Sequence, residues 1–144
     1  MTNALIPYLG GCHCGALAFE YRTALAPASW SVRECQCGFC RAHGATTTSD
    51  VNGELTFEVR DAQALRRYRF GSRTADFLLC EHCGVYLGVQ MQTARGACGI
   101  INLRALRAQP AGLPGAAATH LDGEATEQRI ARRESRWTPM TALV

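Results

Sequence analysis

Glu34-Cys35-Gln36-Cys37-Gly38-Phe39-Cys40-Arg41 puts three thiols into one short loop. Core cysteines do not crowd in this way, but metal ligands do. Thiolates are soft donors suited to zinc, and a structural zinc takes four ligands in a tetrahedron. Working outward, one thiol pair lies upstream, Cys12 and Cys14, and another downstream, Cys80 and Cys83. Together the two pairs make a complete set of four. Such a set would clamp the start of the chain to its middle, where closing a long loop stabilises most. Cys35, Cys37 and Cys40 are already neighbours and would staple little chain. On spacing alone two arrangements fit these three: a closed site completed by His43 or Cys98, or an open one whose fourth position takes water or substrate, where zinc chemistry takes place.

Eight cysteines would also allow four disulfides. Against that, residues 1–10 contain no Lys or Arg and too short an apolar run for a secretory signal. The chain is also longer than the usual disulfide-stapled domain. Cys-x-Cys neighbours in an extended segment point the same way and would share a metal, so the expectation is reduced thiols in a cytoplasmic protein.

With 144 residues, 47% of them apolar and 19% charged, the chain reads as a single globular domain, able to bury a core of its own. No apolar run is long enough to span a membrane, so no membrane partner is expected. The formal charge is +3, every basic side chain is Arg, and the arginines are spread along the sequence rather than gathered in a stripe. That pattern argues against nucleic acid as a partner.

Period-two alternation marks strands at Leu17-Phe19-Tyr21, at Trp30 and Val32 leading into the three-cysteine loop, at Leu55-Phe57-Val59, and at Val85-Leu87-Val89-Met91. Asn52-Gly53 reads as the turn of a hairpin between a Thr-rich strand over 45–51 and the strand at Leu55. One helical turn is expected over 61–66, a short strand at Tyr68 and Phe70, and a further strand over 97–103. The core then spans about 10–103. A short helix and an Ala/Gly/Pro-rich loop occupy 105–118, and a charged tail runs over 119–144, packed back by Trp137. Arg41 is a candidate for offsetting thiolate charge or gripping an acidic substrate, and Glu34 for carrying a proton; both are equally ordinary surface residues. His13 and His82 read as braces of the two knuckles and His120 as surface.

Three blocks in this order, Gly11-Cys12-His13-Cys14-Gly15-x-x-x-Phe19, Cys35-x-Cys37-x-x-Cys40-Arg41-x-x-Gly44-Ala45 and Cys80-x-x-Cys83-Gly84, resemble the glutathione-dependent formaldehyde-activating enzyme (GFA) family, which includes centromere protein V-like proteins. The resemblance implies a mainly β, zinc-stapled tent of short antiparallel strands and two zinc ions. One would be structural, on Cys12, Cys14, Cys80 and Cys83; the other would be catalytic, on Cys35, Cys37 and Cys40. It implies a carbon–sulfur lyase that joins glutathione, or a similar thiol, to a small aldehyde such as formaldehyde. Gln36 and Gly38 stand where the family has His and Ser, and Ala42 where a second basic residue is frequent, so the substrate is left open. A rival reading is a zinc module that binds a protein and has lost the reaction; it predicts a closed or vacant second site and an exposed apolar patch. Short strands can also pair through an edge, which makes a dimer compatible with the sequence.

Overall fold

The computed structural model describes residues 4–144; Met1, Thr2 and Asn3, where the reading for a secretory signal begins, lie outside the described residues. β1 (Ile6–Gly11) and β2 (Leu17–Thr23) form an antiparallel hairpin whose turn carries Cys12 and Cys14. β3 (Arg33–Cys35) leads into a short helix, α1 (Gly38–His43), followed by β4 (Thr47–Thr48) and β5 (Glu54–Val59). β6 (Leu65–Tyr68), β7 (Asp76–Cys80), β8 (Tyr86–Thr93) and β9 (Gly96–Asn102) run as an antiparallel meander. After a long loop come β10 (Ala117–Thr119), α2 (Thr126–Arg136) and β11 (Thr138–Met140). No helix among the described residues is long and apolar enough to cross a membrane.

The fold is mainly β, as read, and the sheet is mixed. β9 is its junction. One edge of β9 carries β8, β7 and β6; the other carries β11 along its first half and β4 along its second. From β11 the sheet continues through β5 and β2 to β1, and from β4 through β3 to β10. Most pairings are antiparallel, but β3–β10 and β5–β11 are parallel.

Several local readings need correction. Asn52 and Gly53 do turn the chain, with Gly53 N–H donating to the Asp50 carbonyl at 2.9 Å, yet β4 and β5 do not pair. β4 joins β3 and β9, while β5 joins β2 and β11. The turn is right and the hairpin is not, because strand partners are chosen by packing across the whole sheet rather than by the turn. The helical turn expected over 61–66 is a 3-10 turn over Ala62–Ala64, and the strand expected at Tyr68 and Phe70 ends at Tyr68. The helix expected after 103 is a 3-10 turn over Leu103–Ala105.

The larger correction concerns the two ends. β1 was missed because Pro7 and Gly10-Gly11 break its pattern; as the outermost strand it tolerates a proline, which needs no ladder partner on the open side. The tail is no appendage. β11 is inserted between β5 and β9, with Thr138 and Met140 buried and Pro139 exposed. Asp50 N–H donates to Thr138 Oγ1 at 2.9 Å, and Ser49 Oγ donates to the Arg136 carbonyl at 2.8 Å, fastening this segment to the chain between β4 and β5.

Apolar side chains form two clusters, one around Phe19, Tyr21, Leu55, Phe57 and Ile101, the other around Val89, Met91, Cys98, Ile100 and Trp137. β9 feeds both by alternation: Cys98 and Ile100 join one, Ala97 and Ile101 the other. In β8 the alternation is broken. Leu79 opposes Tyr86 while Leu78 opposes Gly88, so Leu87 is an extra residue in a β-bulge. Leu87 therefore packs in the first cluster, and Tyr86 turns to the same cluster as Val89 and Met91. The regular alternation from Val85 to Met91 conceals this switch.

Candidate metal centres and the adjoining pocket

The two outer thiol pairs sit on matching turns. After β1, Gly15 adopts φ +84°, Leu17 N–H donates to Cys12 Sγ at 3.3 Å, and Cys12 N–H donates to the Leu17 carbonyl at 2.9 Å. After β7, Gly84 adopts φ +80°, its N–H donates to the Cys80 carbonyl at 2.8 Å, and Cys80 N–H donates to the Val85 carbonyl at 2.9 Å. Left-handed backbone at these two positions suits glycine, and it curls amide groups around the sulfurs. The four Sγ atoms lie within 4.8 Å of one another. Cys14 Sγ is 3.6 Å from Cys12 Sγ and 3.6 Å from Cys80 Sγ. A tetrahedron with metal–sulfur bonds of about 2.3 Å has edges of about 3.8 Å, so this cage fits a zinc-sized ion without rearrangement.

The second cluster is local. Cys35 ends β3, Cys37 is the N-cap of α1, and Cys40 lies in the first turn of α1, where its N–H donates to Cys37 Sγ at 3.4 Å. Their Sγ atoms also lie within 4.8 Å of one another, and no fourth Cys, His, Asp or Glu atom among the described residues joins them. His43, weighed as a closing ligand, stacks instead on the Phe39 ring at 4.4 Å. Cys98, the other candidate, is buried in β9, where burial and then Glu134 push its thiol up to about 11. All eight thiols are free. Both clusters could hold metal ions.

The sulfurs share protons unequally. Hydrogen bonding with Cys40 draws Cys35 down to about 5; the same contact, with burial, holds Cys40 far above the thiol range. In the four-thiol cluster burial pushes Cys80 up to about 12. Burial acts the same way on Cys83, but backbone donors from Cys14 and Val85 and the sulfurs of Cys80 and Cys12 outweigh it and bring Cys83 down to about 6.

Cys35, Cys37 and Cys40 open onto a cavity of about 200 Å³. Its far wall is supplied by the tail: Leu121, Asp122, Arg129, Arg132, Arg133 and Trp137. Phe70, Phe77, Val89 and Ile100 give it an apolar side, and Arg33 lines it from β3. Tyr86 also lines it, 2% exposed, with a hydroxyl that has no hydrogen-bond partner. Burial first, then the nearby charges of Cys40, Cys37 and Cys35, raise its phenol well above the ordinary range, so it stays protonated. Arg33 is held down to about 10 by burial and by repulsion from Arg132 and Arg136. Arg133 is likewise held to about 10 by burial and by Arg132 and Arg129.

The candidates from sequence divide clearly. The structure gathers Cys12, Cys14, Cys80 and Cys83 into one cluster and Cys35, Cys37 and Cys40 into another. Arg41 and Glu34 are exposed and outside the cavity; His13, His82 and His120 are exposed, with His82 Nε2 3.1 Å from Asp61 Oδ2. Tyr86 and the arginines of α2 were missed. Tyr86 had no local signal, because a bulge aims it. The arginines had one: Arg129, Arg132, Arg133 and Arg136 recur at i, i+3, i+4 and i+7, the spacing of one helix face.

The family model described as "Glutathione-dependent formaldehyde-activating enzyme" matches residues 7–118. A crystal structure of a Rhodobacter sphaeroides protein is also similar, at 32% identity and a TM-score of 0.58, covering 77% of this chain and 99% of that one. The family match takes in both cysteine sets and ends before α2.

Proposed function

Because the chain belongs to the glutathione-dependent formaldehyde-activating enzyme family, we propose that it joins a small-molecule thiol, glutathione or a relative, to a small aldehyde at the three-cysteine centre. One observation carries this reading: Cys35, Cys37 and Cys40 gather without a fourth protein ligand among the described residues and face a cavity. Cys35, Cys37 and Cys40 would hold a zinc ion, which would supply the charge that lowers the pKa of an incoming thiol and makes its sulfur available near neutral pH. Cys12, Cys14, Cys80 and Cys83 would hold a second zinc with a closed shell and no substrate.

The remaining work falls to the chain. Phe70, Phe77, Val89 and Ile100 exclude water from the side of the cavity that receives the aldehyde. Sulfur attacks the carbonyl carbon, a carbon–sulfur bond forms, the carbonyl π bond breaks, and the oxygen takes up one proton in place of the one lost from the thiol. The Tyr86 hydroxyl, protonated and without a protein partner, donates a hydrogen bond to the oxygen where negative charge develops. In the reverse direction the same contacts release thiol and aldehyde, which makes the activity that of a carbon–sulfur lyase. The tail walls the pocket, which supports treating 1–144 as one functional domain. Reduced thiols suit a cytoplasmic setting.

The test is metal content of protein purified without chelator, paired with exchange NMR of labelled formaldehyde and glutathione. The parent should carry two zinc ions and speed the exchange. Cys37→Ser should stay folded, carry one zinc and lose the acceleration. A parent that carries one zinc even after zinc is added, and does not speed exchange, overturns the enzyme reading in favour of a protein-binding module.

A further inference from the structure

Four arginines line the cavity beside the three-cysteine centre, and they are not equivalent. Arg129 and Arg132 share Glu124, with Nε–Oε distances of 3.2 and 3.0 Å. Arg33 and Arg133 have no carboxylate within salt-bridge distance among the described residues. Arg133 is 8% exposed. One of its terminal nitrogens donates to Thr74 Oγ1 at 2.9 Å and lies 3.6 Å from Met91 Sδ; its guanidinium carbon stands 4.7 Å from the centre of the Trp137 ring; its Nε has no partner at all. Arg33 donates to Ser49 Oγ at 2.8 Å and, two residues before Cys35 on β3, shares that residue's side of the strand. A guanidinium this far from water is strongly unfavourable unless an anion meets it, and a planar fork with unused donors is shaped for a carboxylate.

We propose that Arg133, assisted by Arg33, grips a carboxylate of the incoming thiol, so that the centre accepts acidic thiols in preference to neutral ones. The proposal rests on the reading above for where the sulfur goes, but the carboxylate grip stands on the arginines alone. The Trp137 ring supports the guanidinium from one side, and Thr74 fixes one end of the fork. The principal residue, Arg133, thus comes from α2, an element that carries no cysteine.

The experiment is titration calorimetry on the zinc-loaded protein with three probes: glutathione, S-methylglutathione, which keeps both carboxylates but has no free thiol, and 2-mercaptoethanol, which has the thiol alone. The parent should bind glutathione most tightly and S-methylglutathione measurably. Arg133→Gln should weaken both by roughly ten- to a hundredfold, the range for a charged hydrogen bond, and leave 2-mercaptoethanol unchanged. Arg33→Gln, on a different element, should weaken the same two probes; thermal melts establish that each variant is folded. The grip is overturned if S-methylglutathione fails to bind the parent, or if both variants bind it as the parent does. That second result would mean that the arginines serve only to offset thiolate charge. If 2-mercaptoethanol does not bind the parent, while glutathione and S-methylglutathione bind equally and both weaken in the variants, the grip is upheld and the thiol reading falls.

Discussion

The four-thiol centre should be a clamp on the whole fold, and its strength follows from chain length. Cys14 and Cys80 are separated by 66 positions. Tying such a loop removes unfolded-state entropy worth about 4 kcal/mol in the chain-entropy treatment of a cross-link. Replacing both thiols of one half-site, Cys80→Ala with Cys83→Ala, removes the cross-chain tie without leaving a buried hydroxyl. With an unfolding entropy of about 2.1 cal/mol/K per residue, the loss corresponds to a fall in Tm of roughly 14 °C. Cys35→Ala with Cys37→Ala also removes two thiols, but there the loop is only a few residues long. The difference between the two double variants should then be about 2 kcal/mol, or roughly 7 °C, from loop length alone. The assay is thermal unfolding followed by circular dichroism, with metal content measured on the same samples. Stripping both metals from the parent with chelator should lower Tm by more than either double variant alone. Equal falls for the two variants, or a fall of under about 3 °C in the first despite loss of its metal, would refute the clamp.

Trp137 is 5% exposed and joins α2 to the second cluster; Trp137→Ala should cost about 3–5 kcal/mol in urea unfolding, and a cost below about 1 would mean that the tail is not integral to the fold. Gly88 lies where an added Cβ would collide with the Ile100 carbonyl oxygen and stand 3.0 Å from the Phe57 ring. Gly88→Ala should therefore destabilise by about 1–3 kcal/mol, and an unchanged midpoint would contradict the close approach of β8 and β9. Hydrogen bonding from Arg132, then from Arg129, holds the Glu124 carboxyl below the usual glutamate range. A depressed folded-state value contributes stability above the unfolded pKa and loses it as pH falls through the folded one. Glu124→Gln should accordingly lower Tm at pH 7, and the gap to the parent should narrow as pH falls below the usual glutamate range; a gap unchanged by acid would show the effect is not the ion pair.

Much of the chain was legible because its signals are local. Cys-x-Cys and Cys-x-x-Cys spacings declare candidate metal ligands within a few residues, and the left-handed glycines after Cys14 and Cys83 are read from the same short stretches. The strand segments at Leu17, Leu55 and Gly96 declare themselves by alternation or apolar run, for the same reason. What escaped were matters of partnership. Thr138-Pro139-Met140 is too short and too proline-broken to read as a strand, and it is one only because β5 and β9 leave a gap for it. Asn52-Gly53 specifies a turn and says nothing about which strands lie on either side of it.

The site divides along the same line. The sequence by itself determined the candidate donor atoms, the local set of three, the two outer pairs and the family, since covalent spacing keeps the thiols within each short stretch together in any compact fold. That the two outer pairs, 66 positions apart, meet as one set of four was decided by the tertiary structure. Only the tertiary structure decided that His43 and Cys98 stay away from the set of three. It alone turned Tyr86 toward that set, through one extra residue in β8. It also brought Arg129, Arg132 and Arg133 across from the far end of the chain to wall the cavity. Side-chain facing after a bulge and the meeting of distant charges both depend on non-local packing, and no window of sequence contains the two partners at once.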